Sequence, residues 1–441
     1  MTSPLYRDLL WNFVQVASED GFLRCEYASE EEFFLASGRL NELESSPAVS
    51  VKPFQPPRGL SKMRSREGME ATGEAPRRSI RFRTPDSLGE VEAVGKALWQ
   101  ALREPELPKP SDSPMRVKIS STSFAITDLP WECLTDSTGA PLALQSHVRL
   151  ARSVPVRYPL APLSATPPLI VLVVMPNPKD ERLLDPYREI AAVNVRLLGP
   201  GYKLHVMEEP SVERLRRMLS DVQPHIVHYI GHSGSSAGEG SLILHDSQSY
   251  TYWLRSDELA AMLPASVRLL CLSTCITAQN YDIRGLSRFA HAPPDVPLPS
   301  VVLNQLPLDV SQEHVVQAFW SQFYESLHAE QGNVTEAHHR ARVAASNASP
   351  NPAWTSFSLV IRDGDGVGFH LDPDVKAERH TAELEAFFRS RLANALTLRS
   401  GSLPNDTFEL FNAASRGHAL DSHEALARVG GAALPKKPEP R

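Results

Sequence analysis

HIVHYIGHSG, residues 225–234, decides the fold. Its apolar first half is too short for a helix. Pro224 precedes it, and the turn residues Gly231, His232, Ser233 and Gly234 follow. A strand buried on both faces reads this way. VRLLCLSTC, residues 267–275, repeats the pattern, with Cys275 after the strand. Two successive core strands therefore deliver His232 and Cys275 to one carboxyl edge of a sheet, where α/β folds place their ligand sites. A thiolate is the reactive form of cysteine. A nearby imidazole can take the thiol proton and later protonate a leaving amine. The pair fits acyl transfer.

Outward from this stretch, short apolar runs alternate with helical periods. Leu169–Met175 (LIVLVVM), 202–207 and Ser300–Asn304 read as strands, and 241–244 with 250–254 as a hairpin. Residues 186–198, 211–220, 256–263 (capped by Ser256), 311–330 and 335–346 read as helices, and 356–361 as a last strand. Val316, Phe319, Trp320, Phe323 and Leu327 form one stripe of the longest helix. The alternation predicts an α/β fold, a mainly parallel sheet with helices on both faces.

Upstream, 79–83 alternates like a strand. Asp86 or Ser87 is placed to cap a helix bearing Val91, Val94, Leu98 and Leu102. Met115–Ser121, 124–127 and Val148–Val154 are strand-like. Residues 1–50 show no firm period, and 51–76 are a Pro-, Gly- and Arg-rich linker. Beyond residue 374, an amphipathic helix over 375–396 leads to a weaker helical stretch and a polar tail. The expected organisation is an N-terminal segment and linker (1–75), an N-terminal half (76–165), a catalytic α/β domain (166–372) and a C-terminal helical extension (373–441).

The chain has 441 residues and a formal net charge of −7, with 37 Pro and 23 Gly. Mild acidity argues against a nucleic-acid partner, which needs clustered cations. The LIVLVVM run is far short of the roughly 20 residues that a membrane span requires. No basic and apolar leader opens the sequence. The four cysteines, Cys25, Cys133, Cys271 and Cys275, are scattered and form no disulfide framework, which favours a reducing, cytoplasmic setting. A zinc set from His228, His232, Cys271 and Cys275 is conceivable by residue type. His228 and Cys271 fall in mid-strand, however, so neither a metal nor a cofactor is expected. Cys271 reads as structural.

In this order, HIVHYIGHSG, the downstream STC, NQLPLDVSQEHVVQAFWSQFYESL, GNVTEAHHRAR and PAWTSFSLVIRDG resemble CHAT-domain proteins, as does the upstream DLPWECLTDSTGAPLALQSHVRLARSVP. These are caspase-like cysteine peptidases related to caspases, separases and gingipains. The resemblance covers about residues 79–365. It implies a caspase-like sheet with an N-terminal approach segment, His232 as catalytic histidine and Cys275 as nucleophile. It also implies an oxyanion hole from the backbone N–H groups of Cys275 and of the residue after the histidine. The family pattern there is Gly-His-Gly. Here Ser233 follows, and the glycine comes one later, at Gly234; a backbone N–H survives the change.

Asp309 falls where this family shapes its first substrate pocket, and an acid there favours a basic substrate side chain. The same residue is also placed to cap the following helix, with Gln312 three residues on. Asp282 and Glu239 are secondary pocket candidates. Trp131 and Glu132 in PWECL read as a packing and anchoring pair. The resemblance further implies a protein substrate, a role in bacterial defence or regulated cell death, and control by a separate sensor or activator protein. A catalytically silent scaffold for protein–protein contact is the alternative class.

Overall fold

The computed structural model describes residues 7–16, 24–27, 52–54, 85–102, 107, 114–121, 129–154, 161–181, 201–236, 239–274, 300–305, 308, 312–362 and 366–371. Its N-terminal elements are β1 (Arg7–Val16), β2 (Arg24–Tyr27), β3 (Lys52–Phe54), α1 (Leu88–Ala101), β4 (Met115–Ser121) and β5 (Val148–Val154). There follow β6 (Leu163–Ala165), β7 (Leu169–Met175), β8 (Tyr202–Glu208), α2 (Val212–Val222), β9 (Ile226–Gly231), β10 (Ser233–Ser236), β11 (Glu239–His245) and β12 (Thr251–Arg255). The last group is α3 (Ser256–Met262), β13 (Leu269–Thr274), β14 (Ser300–Asn304), α4 (Glu313–Ala329), α5 (Val334–Ala348), β15 (Phe357–Arg362) and β16 (Phe369–Leu371).

Eleven strands form one sheet in the order β3-β2-β1-β4-β5-β15-β14-β13-β9-β7-β8. The pairings from β1 to β8 are parallel except β14 with β15; β2 and β3 add an antiparallel edge. The expected mainly parallel α/β class is what the chain adopts.

Side-chain alternation along the central strands divides the core in two. Val171, Val173, Ile226, Ile230, Leu269, Cys271 and Val302 pack on one face with Phe319, Trp320 and Phe323 of α4. Leu172, Val174, Val227, Tyr229, Leu270, Leu272 and Val301 pack on the other with Leu215 and Leu219 of α2 and Leu259 of α3. Strands apolar at every position are thus covered on both sides.

Local chemistry sets several helix ends. Ser87 Oγ accepts from the Glu90 backbone N–H (3.2 Å), and the Glu90 carboxylate accepts from the Asp86 N–H (2.8 Å), a reciprocal cap. Asn333 caps α5 by accepting from the Glu336 N–H at 3.0 Å. The Ser256 expectation needs correction. Ser256 is the first residue inside α3; the cap position is Arg255, whose N–H donates to the Glu258 carboxylate at 3.2 Å. The first 50 residues also hold more order than their lack of period indicated, because β1 pairs in parallel with β4 from Arg7↔Met115 to Phe13↔Ser121. The strands expected at 79–83 and 124–127 and the helices at 186–198 and 375–396 lie outside the described residues. Among the described residues, no helix is long and apolar enough to cross a membrane.

Candidate active site

β9 and β13 are parallel neighbours in register from Leu269↔Ile226 to Thr274↔Gly231. Both chains therefore leave the sheet at the same level of its carboxyl edge. The residue after Gly231 is His232, and the residue after Thr274 is Cys275. His232 is only 2% exposed. The Tyr229 hydroxyl lies 2.5 Å from the His232 carbonyl and 2.8 Å from that of Ile243, donating to one at a time. It also accepts from the Ile243 N–H at 3.1 Å. The His232 carbonyl itself accepts from that N–H at 3.1 Å, which ties the turn to β11.

Glycine before the histidine is a steric requirement. A Cβ on Gly231 would sit 2.7 Å from the Tyr229 hydroxyl and 2.8 Å from Pro176 Cγ. After the histidine, glycine is not required. Ser233 opens the extended strand β10, is buried, and is not among the residues with positive φ. The backbone there accepts a Cβ without strain.

Two mid-strand residues are structural, as read. Cys271 is a free thiol with no exposure and stands opposite His228 in the ladder. His228 shares a 2.8 Å hydrogen bond with the Tyr324 hydroxyl through Nδ1, and its ring lies 4.6 Å from that of Trp320. Their side chains are thus committed to the α4 packing face. No group of three metal-ligating side chains occurs among the described residues.

Several supports were not legible in the sequence. Trp320 donates through Nε1 to Ser273 Oγ at 3.1 Å, one residue before the end of β13. Arg152 pairs with Glu132 (2.5 Å), reaches Gln305 Oε1, and donates to the Leu129 carbonyl at 3.1 Å. Ser358 donates to Glu132 at 2.7 Å and contacts Gln305 Oε1 at 3.1 Å. Trp131 and Glu132 are thus the packing and anchoring pair they were read as, with Glu132 holding Arg152 and Ser358, the two side chains that reach Gln305 after β14. A further histidine at this edge, His245, accepts from the Asn177 N–H at 2.8 Å through Nε2. Burial holds its pKa below the ordinary value, so it stays neutral and serves as an acceptor.

Cys275, Asp282 and Asp309 lie outside the described residues, while Glu239 begins β11 rather than lying in a loop. The residue at the cap position of α4 is Gln312, which makes no side-chain cap hydrogen bond, and the capping role read for Asp309 lies outside the described residues.

No curated protein matches the chain. Among solved structures, the separase–securin complex of Saccharomyces cerevisiae matches at 17% identity and a TM-score of 0.35, over 60% of this chain and 17% of the other. The protein spans less than a fifth of that chain's length. The family model described as the CHAT domain matches residues 92–365. Since that match takes in more than half of the sequence, the chain belongs to the CHAT-domain family.

Proposed function

We propose that the protein is a cysteine endopeptidase of the CHAT type that cleaves a partner protein with a Cys275–His232 dyad. The observation that carries the reading is the register Thr274↔Gly231 between adjacent parallel strands. Neighbouring strands run about 4.8 Å apart, so the next residues on the two chains begin within reach of one another.

In the proposed reaction His232 takes the Cys275 proton, and the thiolate adds to the scissile carbonyl. The backbone N–H groups of Cys275 and Ser233 receive the oxyanion. Collapse breaks the C–N bond as the imidazolium protonates the departing amine. Water, deprotonated by His232, then hydrolyses the thioester and restores the thiol. Asp309 is the acid that would select a basic residue before the cut bond, with Asp282 a secondary candidate for the same pocket. No Lys or Arg occurs from Asn304 to Gln331 that could select an acidic one. Membership of the family supports regulated cleavage in bacterial defence or cell death in the cytoplasm, released by a separate sensor protein.

The test is thiol labelling with iodoacetamide beside a fluorogenic peptide library. Cys275 labels fast in the wild type and slowly in His232→Ala. Cys275→Ala abolishes cleavage and Cys271→Ala does not. Enrichment of Arg or Lys before the cut that disappears in Asp309→Asn identifies the specificity acid. Equal, slow labelling of all four cysteines with no cleavage assigns the fold to a binding scaffold instead.

A further inference from the structure

His245 ends β11, the strand that pairs with the chain leaving His232. Ser233↔Leu242 opens that ladder, and the Ile243 N–H donates to the His232 carbonyl at 3.1 Å. His245 stands two residues beyond Ile243, on the same face of β11. It meets the ends of two core strands. Its Nε2 accepts from the N–H of Asn177, which follows β7, at 2.8 Å. Its backbone N–H donates to the carbonyl of Pro210, which follows β8, at 2.9 Å, and it forms a parallel bridge with Ser211. The tip of the β11–β12 hairpin has further ties to the chain after β7, but exposed residues make them. Lys179 donates its N–H to the Ser249 carbonyl at 3.0 Å, and Asp180 accepts from Thr251 at 2.9 and 3.0 Å. The His245 side chain makes the buried tie, and it lies nearer the His232 turn.

Because Nε2 accepts, neutral His245 carries its ring proton on Nδ1, which is buried without a partner among the described residues. A second proton would have to sit on Nε2, facing the Asn177 N–H. Two donors would then oppose each other and the tie would open. Burial holds His245 below its ordinary pKa and keeps the ring neutral. Glu209 after β8, Asp246 in the hairpin and Asp180 after β7 pull the other way, and Lys179 adds to the effect of burial.

We infer that His245 is a positioning residue for His232: as a neutral acceptor it latches β11 onto the carboxyl edge of the sheet and so holds the turn that bears the imidazole. Its catalytic meaning rests on the peptidase reading above; the latch rests on the hydrogen bonds just named. His245 has no part in making or breaking bonds, so its loss should lower the rate without weakening substrate binding.

The experiment uses the full chain, as wild type and with His245→Phe or His245→Gln. Phe keeps a ring and loses the acceptor, whereas Gln offers an amide oxygen near the Nε2 position and does not titrate. At neutral pH, His245→Phe should slow both kcat on the best library peptide and the His232-dependent alkylation of Cys275 by about three- to ten-fold, the loss of one buried hydrogen bond. KM should stay within about two-fold. His245→Gln should recover most of that loss. In the wild type, His245 is titrated by NMR while amide exchange, corrected for intrinsic rates, is followed at Asn177, Ile243 and Phe319 of α4. Protection at Asn177 and Ile243 should fall together as His245 takes its proton, with Phe319 still protected, and should persist over that range in His245→Gln. This measurement decides the matter if His245→Phe does not fold. Asn177 and Ile243 still protected after His245 has titrated, or a loss shared with Phe319, overturns the inference and leaves the peptidase reading intact. So do folded His245→Phe and His245→Gln proteins that are equally slow or equally fast. A wild type that neither cleaves the library nor shows His232-dependent alkylation removes the peptidase reading, and the catalytic role of His245 with it.

Discussion

At the scale of single residues, the edge beside β9 is held by groups with no part in the proposed chemistry. Tyr229 is fully engaged by the His232 and Ile243 backbone. Tyr229→Phe should cost about 1–3 kcal/mol in urea unfolding, since it leaves buried backbone groups short of a partner. It should also slow Cys275 alkylation, because the turn carrying His232 loses its tie. Unchanged stability would mean that the turn is held by β11 alone. At Cys271 the expectation is reversed, with stability affected and chemistry spared. Cys271→Ala should lower stability by roughly 1 kcal/mol or more, through the small cavity left opposite His228, with labelling of Cys275 unaltered.

At the scale of elements, α5 brings ionisable groups against the sheet. Glu336 takes a two-pronged ion pair from Arg149 of β5, at 2.6 and 3.1 Å. Burial by itself would raise that carboxyl, but the hydrogen bonds from Arg149 and Arg340 outweigh it and hold the pKa below the ordinary 4.5. Glu336→Gln leaves the Arg149 charge buried and unpaired and should cost about 3–5 kcal/mol. Beside it, burial and the Arg342 charge hold His338 well below 6.5, and burial and the Arg149 charge bring His339 down to about 3. Both are neutral in the folded chain, whereas the unfolded chain binds protons from about 6.5 downward. Stability is therefore complete above pH 6.5 and falls as the pH drops toward the folded values, by up to about 1.4 kcal/mol per pH unit for each histidine. Denaturant unfolding between pH 7.5 and 5 should trace that fall, and His339→Gln should flatten it. A slope unchanged in that variant would mean that His339 titrates normally in the fold.

At the scale of the whole molecule, the described residues before and after about residue 165 share one sheet and the core face under α4. β5 pairs with β15. The core face under α4 also takes in Val91, Leu98, Trp131 and Leu150 from the N-terminal half. Arg149 and Arg152 on β5 reach across to Glu336 of α5 and to Gln305 after β14. Such a body should unfold in one transition, with circular dichroism and tryptophan fluorescence coinciding. Two separated transitions would show that the halves fold apart. The continuity has a functional corollary. The chain just after β14, which leads to Asp309, is braced by Glu132 and Arg152 from the other half. Glu132→Gln should therefore alter peptide preference as well as stability, read as a change in kcat/KM ratios across the library.

By itself the sequence determined what depends on order along the chain. Apolar runs at Leu169–Met175 and Ser300–Asn304 declared buried strands with matching bounds, because a strand covered on both faces needs no partner to be recognised. His232, directly after Gly231, could likewise be read from the end of such a strand. Tertiary structure alone decided what depends on register and on distant partners. That Thr274 stands level with Gly231, that Asn304 holds the Thr274 carbonyl, and that Glu132 anchors Arg152 and Ser358 are contacts between residues far apart in the chain. β1 escaped notice for the same reason, since its pairing with β4 spans a long stretch of sequence. Periodicity records which face of an element is apolar, but a hydrogen bond between two strand ends leaves no period in either of them.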